Sequence, residues 1–387
     1  MLPTELLETC LDSIADDKHS LAMCALAHNS LRYISQRRLF ASISLYFPSD
    51  GVQLDSVPVR LLAALEMSPP LGAYVQRFSI SCANHLSVAI TDLLPHLLER
   101  MPALRSLSGR NAFRAVNGPL HHALEKVLKL PTLEHICLRM TVDFPFHLIR
   151  TPSLRHLSLI DMGETGTSLA YTCERSPLSL RTLKVNATLN LVCSRATRWL
   201  CSAQVELSAL EALYLDIQWT GVSNAQKFLE RASQSLRLLA IVPYGKDPIG
   251  GVQDTLRMMV DLPFRLPSLH TLVIYVAKHI DLQHIVSECY PELLKALDAA
   301  LGESDSMYPA VREVVLLPCP RGSGGHGADM WWEFRDASLL AVDLSGFGLG
   351  TNHIRSQATL DAWASAFPKC AKNGMLRDMP PKFRLQQ

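Results

Sequence analysis

Three apolar positions, spaced three and then two residues apart, recur along most of the chain. Thr151 to Leu159 reads Thr-Pro-Ser-Leu-Arg-His-Leu-Ser-Leu, with Leu154, Leu157 and Leu159 in those positions. Such offsets fit neither one face of a helix nor a long alternating strand. The spacing returns at Val75/Phe78/Ile80, Leu133/Ile136/Leu138, Leu180/Leu183/Val185, Leu210/Leu213/Leu215, Leu236/Leu239/Ile241, Leu269/Leu272/Ile274, Val311/Val314/Leu316 and Leu339/Val342/Leu344. Leu104 and Leu107 begin a copy that stops short, with Gly109 where the third apolar residue is due. A proline stands two residues ahead of the first leucine at Pro102, Pro131, Pro152 and Pro267. Lacking an N–H and disfavouring helix in the residue before it, proline there ends one element and starts an extended one. Each triplet predicts a short strand with its apolar residues inward and the residue between the last two outward.

Helical patterns separate the strands. Leu93, Leu94, Leu97, Leu98 and Met101 share one face, Leu120, Ala123, Leu124, Val127 and Leu128 another, and Ala225, Phe228, Leu229 and Ala232 a third. A strand and a helix over roughly twenty to thirty residues is the size of a leucine-rich repeat, whose Leu-x-x-Leu-x-Leu core these triplets match. One such unit cannot bury both of its faces, so neighbours must stack to complete the core. The expected fold is therefore α/β: a leucine-rich-repeat-like solenoid over residues 41–362, with parallel strands on the concave side and helices on the convex side. The interval Ile274 to Val311 carries two helical patterns, Leu282/Ile285/Val286 and Leu293/Leu294/Leu297/Leu301, and reads as a unit with an inserted helix. Pro318 to Gly327 is loop by composition. Residues 363–387, with Lys369, Lys372, Arg377, Lys382 and Arg384, read as a basic tail or C-terminal cap.

Residues 1–40 lack the repeat and are helical in pattern. Leu6, Leu7, Leu11 and Ile14 form one apolar stripe, and Asp16 or Asp17 is placed to cap a second helix carrying Leu21, Cys24, Ala25 and His28. After Asn29-Ser30 a third helix carries Leu31, Ile34, Arg38 and Leu39, and Ile43 and Leu45 then alternate in a strand. With Leu2-Pro3-x-Glu5-Leu6-Leu7 at its start, Cys24-Ala25-Leu26-Ala27 in its middle and Arg38-Leu39-Phe40 at its end, this stretch resembles an F-box. Together with the repeats it is similar to fungal F-box proteins with degenerate leucine-rich repeats. The resemblance implies a non-catalytic substrate-recognition subunit of an SCF-type cullin-RING ubiquitin ligase. Leu2, Pro3, Leu6, Leu7, Leu26 and Leu31 would bind the adaptor subunit, and through it the cullin, while the solenoid holds a protein target. Ala27, His28 and Leu31 depart from the family pattern, which leaves open a leucine-rich-repeat scaffold without ligase association.

The hydrophobic fraction of 48% and charged fraction of 19% describe a folded protein rich in core material. A net charge of +1 gives no general attraction to nucleic acid or to an anionic membrane, and neither is expected as a partner. The acidic N-terminus is no secretory signal and no uncharged apolar run is long enough to cross a bilayer, so a cytoplasmic or nuclear protein, not a secreted one, is expected. The ten cysteines form no Cys-x-x-Cys pair and read as reduced thiols.

No phosphate loop, zinc-protease motif or nucleophile elbow occurs, and no cofactor or metal is expected. Gly322, Gly324 and Gly327 match Gly-x-Gly-x-x-Gly after an apolar strand, with Asp343 further on, which keeps a nucleotide-binding enzyme as a remote alternative; Pro318 and Pro320 favour a rim loop. His121-His122 lies on a leucine-rich helix and reads as solvent-facing or satisfied, not as a metal ligand. The outward strand positions supply the candidate target surface: Ser158, Lys184, Tyr214, and further along the strands Asp216, Gln218 and Tyr275, with Cys137, Ala240, Val273, Val315 and Asp343 in equivalent positions. Its tyrosines suit a protein interface.

Overall fold

The computed structural model describes residues 3–47, 57–82, 88–113, 118–163, 177–186, 194–216, 222–242, 259, 262–277 and 308–319. They form a mixed α/β fold of parallel strands and connecting helices. The chain divides into two compact units, Met1–Leu178 with Leu191–Val205, and Ser179–Asn190 with Glu206–Gln387.

The first unit begins with helices α1 (Thr4–Asp12), α2 (Lys18–Ala27) and α3 (Asn29–Ala41). Asp17 caps α2 by accepting from the N–H groups of His19 and Ser20 at 3.0 and 3.1 Å, and the Ser20 hydroxyl bond holds its carboxyl below the usual carboxylate range. His28 Nδ1 caps α3 by accepting from Ser30 N–H at 3.1 Å. Leu11, Leu21 and Ile34 form the core of this head, with Leu7, Ile14, Cys24, Leu31 and Leu39 packed around it. Arg38 ties α3 to α1, donating to the Glu8 carbonyl at 2.8 Å and to Asp12 Oδ1 at 2.5 Å.

Strand β1 (Ser42–Phe47) follows α3 directly, and β2 (Arg77–Cys82), β3 (Ser106–Arg110), β4 (His135–Arg139) and β5 (His156–Ile160) lie beside it in sequence order, all parallel. Between β1 and β2 stand α4 (Val57–Met67) and a 3₁₀ turn at Pro69–Tyr74, neither of which the triplet pattern announces. Helix α5 (Val88–Glu99) connects β2 to β3 and α6 (Gly118–Val127) connects β3 to β4, and the two pack side by side. Of their predicted faces, Leu94, Leu97 and Leu98 of α5 and Leu120, Ala123, Leu124 and Val127 of α6 are buried, and Leu93 is half-buried.

The register aligns the triplets. Phe78, Leu107, Ile136 and Leu157 form one cross-strand row, and Ile80, Gly109, Leu138 and Leu159 the next. At Gly109 the missing side chain is replaced from outside the strand. The buried Phe113 ring fills the gap, and a Cβ on Gly109 would stand 2.2 Å from Phe113 Cε2. Phe113 in turn meets Phe144 edge-on at 6.3 Å, Phe144 meets Phe146 at 5.4 Å, and Phe146 stacks on Trp199 at 5.0 Å. Trp199 comes from α7 (Ser194–Leu200). Gly72 admits a second close approach, since a Cβ there would lie 1.8 Å from the Arg100 carbonyl oxygen.

Successive strands are joined by a repeated side-chain bond just ahead of the first leucine. Thr132 donates to the Leu104 carbonyl at 2.8 Å, and Ser153 to the Leu133 carbonyl at 3.0 Å. In the second unit Ser235 does the same to Leu210 at 2.8 Å. The entries to β4 and β5 also carry a shared acceptor: the Arg105 carbonyl takes the N–H groups of Glu134 and His135, and the Glu134 carbonyl those of Arg155 and His156.

Two-residue strands β6 (Leu178–Ser179) and β8 (Val205–Glu206) fall near the points where the chain passes between units. In the second unit β7 (Thr182–Asn186), β9 (Ala212–Asp216), β10 (Leu238–Val242), β11 (Thr271–Ala277) and β12 (Glu313–Cys319) are again parallel and in order. Leu183, Leu213, Leu239, Leu272 and Val314 share one row, and helix α8 (Val222–Ala232) links β9 to β10 with Ala225, Phe228, Leu229 and Ala232 buried.

Candidate protein-binding surfaces

Two surfaces carry the expected site residues. On the head, Pro3 is exposed, Leu6 is 52% exposed and Leu26 is 82% exposed, and Met23, one turn before Leu26, is 55% exposed. Leu7 and Leu31 lie differently: both are half-buried against the Leu11, Leu21 and Ile34 core. Their burial follows from helix geometry, because α3 packs against both α1 and α2 and takes the stripe nearest to it. Leu2 lies outside the described residues. The head thus displays Leu6, Met23 and Leu26 to solvent while Leu7 and Leu31 hold it together. Met23 was not among the expected contacts, although its spacing of three from Leu26 places the two on one face.

The second surface is the outward face of β1 to β5. Its central row runs Ser44, Ser79, Ser108, Cys137, Ser158. On one side lie Ser42, Arg77, Ser106, His135 and His156, and on the other Tyr46, Ser81, Arg110, Arg139 and Ile160. Most of these side chains are exposed or half-buried, Ser158 among them; Arg139 and Ile160 are buried. The His135 and His156 rings stack with centroids 4.1 Å apart, and Tyr46 is 62% exposed.

In the second unit the equivalent row is Lys184, Tyr214, Ala240, Val273, Val315. Lys184 is half-buried and its ammonium lies 4.9 Å from the centre of the Tyr214 ring. Tyr214 is only 8% exposed, and burial pushes its hydroxyl up to about 12. Ala240 and Val273 are buried as well. At Tyr214, Ala240 and Val273 this row is core, where an open face was expected, and the side chain of Val315 lies outside the described residues. The sequence held a signal for the difference: Arg77-Phe-Ser-Ile-Ser-Cys82 alternates, as a strand with one wet face does, whereas Leu238-Leu-Ala-Ile-Val242 is apolar throughout, as a strand covered on both faces is. The backbone of Asp216 and Tyr275 belongs to β9 and β11, but their side chains, and Gln218 entirely, lie outside the described residues. So do the glycines at 322, 324 and 327, Asp343, Leu282 to Leu301 and the tail from 363.

Among the described residues no three His, Cys, Asp or Glu side chains are placed to hold a metal ion. Burial pushes the Cys82 thiol up to about 11, which keeps it protonated and a weak nucleophile. His121 and His147 have ring centres 6.4 Å apart beside Glu125 and Arg150, and burial draws His147 below its ordinary value. No helix among the described residues is long and apolar enough to cross a membrane.

No protein-family model matches the chain, and no curated protein matches it.

Proposed function

We propose that the chain is the substrate-recognition subunit of an SCF-type cullin-RING ubiquitin ligase, built as an F-box-like head on a leucine-rich-repeat solenoid. The observation that carries this reading is the head itself: a small helical bundle that presents Leu6 and Leu26 to solvent at positions of the F-box-like pattern. With Met23 one turn before Leu26, these leucines give the head apolar area that an adaptor surface would bury. The chain would do no chemistry on its target. It would hold the target near a ligase whose other subunits transfer ubiquitin, so its contribution is proximity and orientation.

Support for the solenoid comes from the parallel strands in sequence order, the aligned triplets and the hydroxyl bonds that join one strand entry to the next. A second reading, a repeat scaffold that binds protein without ligase association, draws on Leu31 packing inward at a position where the F-box-like pattern departs. Affinity purification of the full-length tagged chain separates the two. Recovery of the adaptor and cullin subunits supports the ligase reading; recovery of other partners with neither subunit supports the scaffold.

A further inference from the structure

Among the described residues, the outward strand positions of the first unit carry charge of one sign. These positions on β1 to β5 include the exposed Arg77, the half-buried Arg110 and a histidine pair but no aspartate or glutamate. The chain as a whole is nearly neutral at +1, so this is a local excess. We propose that this face binds an extended, acidic segment of the target protein. The inference rests on the proposed role of the strand face as target surface, and goes beyond it in naming the chemistry of what binds there.

Arg77 stands on β2 opposite Ser106, and Arg110 on β3 opposite Ser81, four residues further along. At about 3.3 Å per residue and about 4.8 Å between strands, their Cα atoms are about 14 Å apart. An extended peptide covers that distance in about four residues, so acidic side chains at i and i+4 reach one arginine each. Between the arginines lies Ser108, whose small side chain lets a backbone approach the sheet. Both arginines already interact within the fold, but a guanidinium has five N–H donors and engages a carboxylate without surrendering every existing bond. The stacked His135 and His156 rings and the exposed Tyr46 extend the platform with flat apolar area.

The test uses the full chain and a labelled ten-residue Ser/Ala peptide with Glu at positions 3 and 7, its Gln analogue, its Lys analogue, and a single-stranded oligouridylate, followed by anisotropy up to about 1 mM. The Glu peptide is expected to bind about tenfold more tightly than the Gln analogue, weakening as salt rises. Arg77→Gln with Arg110→Gln removes that preference, Arg77→Lys with Arg110→Lys keeps it, and Arg77→Glu with Arg110→Glu transfers it to the Lys peptide. Equal binding of Glu and Gln peptides, no binding of either, tighter binding of the oligouridylate, or an unchanged Arg→Gln variant overturns the proposal. None of these outcomes involves the head, so adaptor binding stands or falls separately.

Discussion

Replacing Gly109 by leucine restores the repeat pattern and is nevertheless expected to weaken the fold. Its new Cβ would lie 2.2, 2.6 and 3.2 Å from Cε2, Cδ2 and Cζ of Phe113, which is fully buried and already braced by Phe144. The ring must leave for the leucine to enter. Removing a buried phenylalanine costs about 3–5 kcal/mol and burying a leucine recovers about 1.5–3 kcal/mol, so Gly109→Leu should cost about 1–3 kcal/mol. Phe113→Ala alone should cost about 3–5 kcal/mol, because it opens the cavity with nothing to fill it. In the double variant the leucine occupies the vacated space, so it should cost about as much as Gly109→Leu alone, and the combined cost should fall short of the sum by about 3–5 kcal/mol. Urea unfolding of the four proteins, followed by circular dichroism, measures the coupling. Additive costs, or a Gly109→Leu variant more stable than wild type, would refute the substitution of one side chain for another at this position.

Two further outcomes follow from the same geometry. Ser153→Ala should lower stability by about 1 kcal/mol, since it leaves the Leu133 carbonyl with one donor fewer at the seam between strands; an unchanged urea midpoint would count against the seam. His147 is held below its ordinary value by burial, with His121 and Arg150 adding repulsion, so the unfolded chain takes up the proton first. Its stabilising effect is present above about pH 6.5 and is lost as pH falls below that through the depressed value, and His147→Asn should flatten the fall in thermal midpoint over that window; an identical pH profile would contradict it.

Periodicity determined more of this fold than composition did. A strand that repeats beside itself must align like residues, so Phe78, Leu107, Ile136 and Leu157 fall in one row as their spacing requires. What lies off the period was harder to see. Phe113 is outside any triplet, and only the absence at Gly109 hinted that something must fill the space. Thr132 and Ser153 stood in view beside their prolines, yet a hydroxyl bond to the preceding strand is visible only once the strands are adjacent. On the head, apolar stripes marked the helices but not which residues α3 would cover, because three short helices can meet through several faces. Leu7 and Leu31 went inward and Leu6 and Leu26 stayed out. Tyr214 illustrates the limit of the outward-position rule: alternation places a side chain on a face, and neighbouring chain decides whether that face is wet.

That sorting of the head leucines leads to the most direct measurement. A substitution at Leu7 would confuse folding with binding, whereas Leu6→Asp with Leu26→Asp changes only exposed positions. Full burial of two leucines at an interface contributes about 3–6 kcal/mol, so adaptor affinity should fall by a factor of about 10²–10⁴. Titration calorimetry of the purified full-length chain against the purified adaptor, with thermal unfolding as a check on the fold, should show tight binding for wild type and none or little for the folded double variant. Absence of binding by folded wild type, or undiminished binding by the variant, would contradict the proposed adaptor interface.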